Sequence, residues 1–272
     1  TQWSSSAASD VYKRQLCKYK KLSMLDINEI LEKFKKNRFV LKALQNPRSP
    51  SSVLNYMCSG DTNDPLVKKS LNNINIVSSL LVIWFQSGQS LDKLCKPFIP
   101  TVRELKSKPQ TLIGDEWDSI DGKIAKVLLA DQLSRSCFRG TSEAFAYDEI
   151  ARDLVHELFN KKNRNETLKK PAAILYLLPW ALAHSENIKD LESALSIIEL
   201  TVKAYPEFTL FEGRNKQAVY QHQQVLEKFG RYPQRNNALG RTSTIQEKKW
   251  LDDKENLPIW AGGKLPIDQD IK

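Results

Sequence analysis

The sequence predicts an all-α protein, a stack of antiparallel helices in a single domain, on three observations. Helix-favouring Leu, Lys, Ala and Glu are abundant while glycine is sparse, with 10 in 272 residues, a balance that suits helices better than a barrel or sandwich. Apolar residues recur at three- and four-residue intervals along most of the chain, the spacing of a half-buried helix. Prolines, glycines and capping residues punctuate these stretches at positions where helices start and stop.

Leu25 to Leu44 places Ile27, Ile30, Leu31, Phe34 and Leu41 on one helical face, and Pro47 and Pro50 end it. Val53 to Cys58 is a short segment that leads into a loop from Gly60 to Pro65. Leu66 to Phe85 reads as helix, with a strand as the alternative because of its β-branched cluster. Ser90 reads as the N-cap of a helix through Leu105 that is interrupted near Pro97 and Pro100. The clearest helix is Trp117 to Arg135, with Ile124, Val127, Leu128 and Leu129 facing the core. Ser142 to Phe159 follows, with Ile150, Leu154 and Leu158 at four-residue spacing, and then a polar loop from Lys161 to Lys170. Pro171 to Leu182 is apolar nearly all round, so it is expected at the centre and bent by Pro179. Leu191, Leu195, Ile198 and Val202 mark a helix that stops near Pro206, and Ala218 to Phe229 ends on Gly230. Thr244 with Glu247 forms a capping box for a last short helix through Leu251. This succession of helix pairs, without an exact repeat, suits a degenerate solenoid-like stack.

Composition narrows the function classes. The net charge is +9, but residues 1 to 23 hold +4 of it and the rest is spread among acids. No basic stripe interleaved with aromatics appears, and the run from Lys33 to Arg38 reads as a solvated helix face, which argues against a nucleic-acid partner. Cys17, Cys58, Cys95 and Cys137 are scattered without a CxxC, against both a zinc ribbon and a disulfide framework. A reducing compartment is the expectation, the cytoplasm or else an organelle matrix. The longest apolar run, Leu80 to Phe85, is too short to span a bilayer. No GxSxG elbow, Walker loop or GxGxxG occurs, and no cofactor is expected. Residues 1 to 15 have no amphipathic period and look like a translated adaptor tail, with a transit peptide as the rival. The expected organisation is therefore a leader over 1–23, a helical extension over 24–50 that starts at Met24, a helical domain over 51–262 and a tail over 263–272.

Three separated stretches carry a family pattern. Asp131-Gln132-Leu133-Ser134-Arg135 is followed by Phe138-Arg139-Gly140-Thr141 and by Ala144-Phe145-Ala146 with Asp148. Leu177-Leu178-Pro179 precedes His184-Ser185-Glu186. His222 is followed by Phe229-Gly230-Arg231-Tyr232-Pro233, Arg235-Asn236, Leu239-Gly240-Arg241 and Ser243-Thr244. In order and spacing these resemble the domain of unknown function 924 family. A weaker likeness runs from Val53-Leu54-Asn55-Tyr56 through Trp84-Phe85, Asp92 and Phe98. Here Asn55 stands where the family has an acid, Met57-Cys58 replace two aromatics, and Gln234 stands where the family has His. The resemblance implies a tetratricopeptide-like helical fold and no settled activity.

Within those motifs Asp131, Gln132 and Arg135 share one helix face. They read either as an ion pair that locks two helices or, with Arg139, as part of an anion pocket. His184 and Glu186 are two apart and converge only in an irregular turn, where Ser185 or Asn187 would cap the next helix. A metal site from His184, Glu186 and His222 lacks an HExxH-type spacing, and none is expected. Arg231, Arg235 and Arg241 with Asn236 crowd a loop, where they either grip a carboxylate or phosphate or bridge helix C-termini. The expectation is a helical module that holds a small anionic ligand or peptide carboxylate. Arg135, Arg139, Arg231 and Arg235 would supply charge, with His184, Glu186 and His222 orienting the ligand. The alternatives are a hydrolase-like enzyme with His222 or His184 as general base, and a scaffold whose polar motifs are purely structural.

Overall fold

Asp26 opens the first helix, α1 (Ile27–Lys36), by accepting a hydrogen bond from Asn28 N at 2.8 Å. The computed structural model describes residues 26–263; the expected leader, the start at Met24 and the tail from 264 onward lie outside the described residues. The single helix expected over Leu25 to Leu44 is two, because Asn37 leaves helical geometry (ψ 125°) and caps α2 (Arg38–Gln45) through Phe39 N and Val40 N. A side chain that bonds its own backbone competes with helix continuation. The break turns Val40 and Ala43 to the core and leaves Leu41 exposed. Pro50 likewise starts a helix, α3 (Pro50–Cys58), since the first turn does not need its missing N–H. Val53, Leu54, Tyr56, Met57 and Cys58 of α3 are all buried, so the segment has little solvent face to reveal a period.

Leu66 to Phe85 is also divided, into α4 (Pro65–Ser70) and α5 (Ile74–Gln86), by Asn73 acting as N-cap. The next helix, α6 (Gln89–Cys95), is entered from Gly88, not capped by Ser90, and α7 (Ile99–Ser107) follows. The central α8 (Ile120–Leu128) is capped by Ser119 and continues through a π-helical turn, Leu129–Leu133, into Ser134–Cys137. After α9 (Asp148–Leu158), the expected polar loop contains one helical turn, Arg164–Thr167. The apolar Pro171–Leu182 stretch is buried as expected, but in two pieces, α10 (Ala172–Leu175) and α11 (Leu178–Ala183). Pro179 sits in the first turn of α11, so it starts a segment instead of bending a continuous one.

Asn187 caps α12 (Ile188–Ala204), α13 (Thr209–Phe229) ends on Gly230 at φ 69°, and α14 (Ile245–Asp252) carries the capping box. The described residues contain no strand, and the fold is all-α. α8 packs on α3, α9 and α11, while α12 packs on α11 and α13. One buried cluster runs from Leu31 to Tyr232, so α1 and α2 share a core with the rest. No helix among the described residues is long and apolar enough to cross a membrane.

Candidate functional site

The π-helical turn in the middle of the chain carries Asp131 and Gln132. Such turns interrupt the regular ladder and recur at functional sites. Asp131 is buried, and its Oδ1 lies 2.6 Å from His184 Nδ1 at the C-terminal end of α11. Gln132 Nε2 donates to Asp131 Oδ2, and Arg135 approaches Oδ1 at 3.4 Å. Burial pushes the Asp131 carboxyl up, but the His184 and Arg135 charges with the His184 and Gln132 hydrogen bonds outweigh it and hold the group down at about 2. An ionised Asp131 accepts the Nδ1–H of His184. The His184 Nε2 makes no hydrogen bond within the described residues.

His222 reaches the same region from α13, with its ring 6.2 Å from that of His184. Its Nδ1 is 2.7 Å from Ala218 O, and a carbonyl can only accept, so Nδ1 carries the proton and Nε2 is a bare acceptor. Burial lowers its pKa to about 3, against the Ala218 hydrogen bond, with the His184 and Arg235 charges adding to the lowering. The ring is stacked on Trp260 at 3.8 Å and meets Tyr232 edge-on at 5.4 Å. Tyr232 is fixed in turn by its hydroxyl, which donates to Ala183 O at 2.7 Å.

The arginines are each engaged by a carboxylate. Arg235 is buried between Phe145 (4.7 Å) and Tyr232 (4.9 Å); it pairs with Asp148 Oδ2 at 2.9 Å and donates to His184 O, at the end of α11, at 2.8 Å. Arg135 lies 4.9 Å from the Phe145 ring centre, donates to Ala144 O, and contacts Asp148 Oδ1 at 2.7 Å as an ion contact without hydrogen-bond alignment. Arg231 grips Glu247 through two bonds of 2.7 and 2.9 Å and donates to Thr242 O. Asn236 joins that pair through Ser243 and Glu247. Arg241 holds Glu186 bidentately at 2.8 and 2.9 Å, while Glu186 also accepts from Tyr232 N. Arg139 lies apart, bidentate to Asp92 at 2.8 and 2.9 Å.

The predicted residues thus fall into four groups, the last of them Glu186 with Arg241. Asp131, Gln132, Arg135, His184, His222 and Arg235 come together. Arg231 and Asn236 form the Glu247 knot, and Arg139 belongs to α6 through Asp92. Glu186 is turned to Arg241, away from any common ligand set with the histidines, and no three His, Cys, Asp or Glu residues among those described are grouped to hold a metal. Asn187, not Ser185, caps α12; Ser185 donates to Asp190, which also binds the third histidine, His156. Asn55, in place of the family acid, accepts from Thr62 N and Oγ1 and ties the loop after α3. Cys137 donates to Cys95 O, and burial raises its thiol.

Sequence reasoning passed over Asp148, Phe145 and Tyr232 as site residues although the motifs contain them. The acid at the end of the AFxxD motif was the signal, since two arginines on neighbouring motifs need a counter-charge. Trp180 and Trp260 carry no such signal and enter only through packing. Apart from this site, a cleft of about 180 Å³ lies beside α2 and α3, lined by Phe39, Lys42, Ser52, Asn55 and Asp61.

Comparison with known proteins adds two findings. The family described as bacterial protein of unknown function (DUF924) matches residues 78–255, more than half the chain and all three motif stretches; the weaker likeness over residues 53–77 falls outside that match. The solved structure of a protein of unknown function from Agrobacterium tumefaciens is similar at 24% identity, with a TM-score of 0.50, covering 62% of this chain and 88% of that one, a likeness of fold alone. No curated protein matches.

Proposed function

The chain belongs to the DUF924 family of bacterial proteins of unknown function, and from that premise we propose that it is an enzyme-like acid–base module in which His184, oriented by Asp131, exchanges a proton with a bound substrate. The observation that carries this reading is the 2.6 Å contact from Asp131 to His184 Nδ1, with Nε2 left unengaged. A buried carboxylate on Nδ1 selects the tautomer whose Nε2 accepts a proton, and stabilises the imidazolium that results. In hydrolysis, Nε2 takes a proton from water as its oxygen adds to a carbonyl carbon. The imidazolium then returns that proton to the leaving oxygen as the C–O bond breaks. Holding an anion by Arg135, Arg139, Arg231 and Arg235 is the weaker reading, because Asp92 and Glu247 match Arg139 and Arg231, and Asp131 and Asp148 together match Arg135 and Arg235.

Hydrolysis of p-nitrophenyl acetate by wild type, His184→Ala and Asp131→Asn tests the proposal. General-base catalysis is worth about 10²–10⁴-fold, so His184→Ala should lose at least a hundredfold and Asp131→Asn a large part of that. Wild-type turnover no faster than His184→Ala rejects it. The second reading, a scaffold with structural motifs, is favoured by the closed Arg235–Asp148–Arg135 group; it predicts no turnover and a strong stability loss when that group is broken.

A further inference from the structure

We propose that the His184 site receives a flat, uncharged ring compound bearing N–H or O–H donors, of the chemical type of a phenol, an indole or a nucleobase; this rests on the acid–base reading of His184. Neighbouring aromatic rings run in series through it. Phe85 lies 5.5 Å from Trp180, Trp180 6.5 Å from His184, His184 6.2 Å from His222, and His222 3.8 Å from Trp260. These rings come from the end of α5, from α11, from α13 and from the turn Ile259–Ala261, so four separate parts of the chain contribute to one aromatic surface. Phe85 is 45% exposed, and Trp180 and Trp260 are half-buried, leaving ring surface for a planar ligand.

The polar groups of that surface select the ligand's chemistry. Trp260 Nε1 is engaged by Gln221 Oε1 at 3.3 Å, and His222 Nδ1 by Ala218 O. What remains on the two imidazoles are the Nε2 atoms. The His222 one is an acceptor, and the His184 one is an acceptor whenever its ring is neutral. A ligand without donors would cover Nε2 of the partly exposed His184 and would also leave Nε2 of the buried His222 without a donor, which is unfavourable. An anion finds no unmatched guanidinium, since Asp131 and Asp148 together match Arg135 and Arg235, and Arg241 holds Glu186. A cation would meet rings suited to it, but also the Arg235 charge that bears on His222, and Asp131 is already matched by His184 and Arg135. A neutral planar donor satisfies all of these conditions.

The test is calorimetric titration of the full chain with phenol, indole and adenine against N-methylindole, inorganic phosphate and tetramethylammonium. Small ring compounds of this size should saturate the site at millimolar concentrations, below about 10 mM, with N-methylindole weaker by tenfold or more. His222→Phe keeps the stack on Trp260 and removes the acceptor, so it should reproduce that tenfold loss; Trp260→Leu, a second variant at a partly buried ring that packs against the core, should weaken every ring compound alike while leaving the helical circular-dichroism spectrum unchanged. Equal binding of indole and N-methylindole, or saturation by phosphate or tetramethylammonium in place of the rings, overturns the proposal, as does the absence of saturation by any ring. The outcomes separate from those of the acid–base reading. Selective ring binding without ester hydrolysis leaves the ligand class standing and removes only the catalytic role, whereas hydrolysis with unselective binding removes the ligand class alone.

Discussion

The loop after α13 and the turn after α11 are both dense in the residues that usually do chemistry, and they use them in opposite ways. In the loop, Arg231, Arg235 and Arg241 are each closed on a carboxylate from elsewhere in the chain, Glu247, Asp148 and Glu186. In the turn and the helix beside it, His184 and His222 are each held by one nitrogen only, to Asp131 and to Ala218 O. A closed ion pair fixes how elements sit against each other, while a half-held imidazole keeps a reactive atom available. On the proposed function, the arginine motif is the frame and the histidine pair is the site.

The largest effect that would break this contrast is on Arg235. Arg235→Ala removes a buried guanidinium from between Phe145 and Tyr232 and unpairs one oxygen of Asp148, so urea unfolding should show a loss of about 3–5 kcal/mol. Arg235→Lys should rescue little, because an ammonium cannot lie flat between two rings while serving both Asp148 and His184 O. A near-neutral Arg235→Ala would mean that the loop is not the frame.

A smaller effect separates the histidines from the arginines by pH. The pKa of His222 falls from an ordinary 6.5 to about 3 on folding. Below 6.5 the unfolded chain takes up a proton that the folded chain refuses, so stability is fully present above that pH and declines as pH falls toward 3. Between pH 6.5 and 5 the decline from this group should be about 2 kcal/mol, and it should vanish in His222→Phe. Further acidification protonates Glu247, whose carboxyl is held at about 2 chiefly by its bond to Arg231, and its stabilisation is lost as pH falls from 4.5 toward that value. The smallest effect is on Arg139. Its pair with Asp92 is bidentate and only partly shielded from solvent, so Arg139→Ala should cost about 0.5–1 kcal/mol, and less in high salt.

Much of the fold was legible because its longer helices obey the rules that sequences display. The capping box at Thr244 and Glu247, the glycine stop after Phe229 and the buried stretch around Leu178 are all local signals. Three of the misread boundaries share one cause. Asn37, Asn73 and Pro179 act through capping and first-turn geometry, which split helices that apolar periodicity alone joins. The site was legible as a set of residue types but not as a set of pairings. Nothing local in the chain says that Arg235 meets Asp148 across 87 residues, or that Asp131 meets His184 across 53. The π-helical turn that carries Asp131 has no sequence period of its own, and Trp260 joins the site only because the chain returns to pack it on His222.

Whether Asp131 fixes His184 with Nε2 free to accept a proton is read from long-range 1H–15N correlation spectra of the histidine rings in wild type and Asp131→Asn. The spectra should be taken at a pH high enough for both rings to be neutral. Both His184 and His222 should show a protonated Nδ1 and a bare Nε2 in wild type, with His184 alone changing its tautomer balance in Asp131→Asn. A wild-type His184 that carries its proton on Nε2, or one whose tautomer is the same with Asn at position 131, would contradict this role of Asp131.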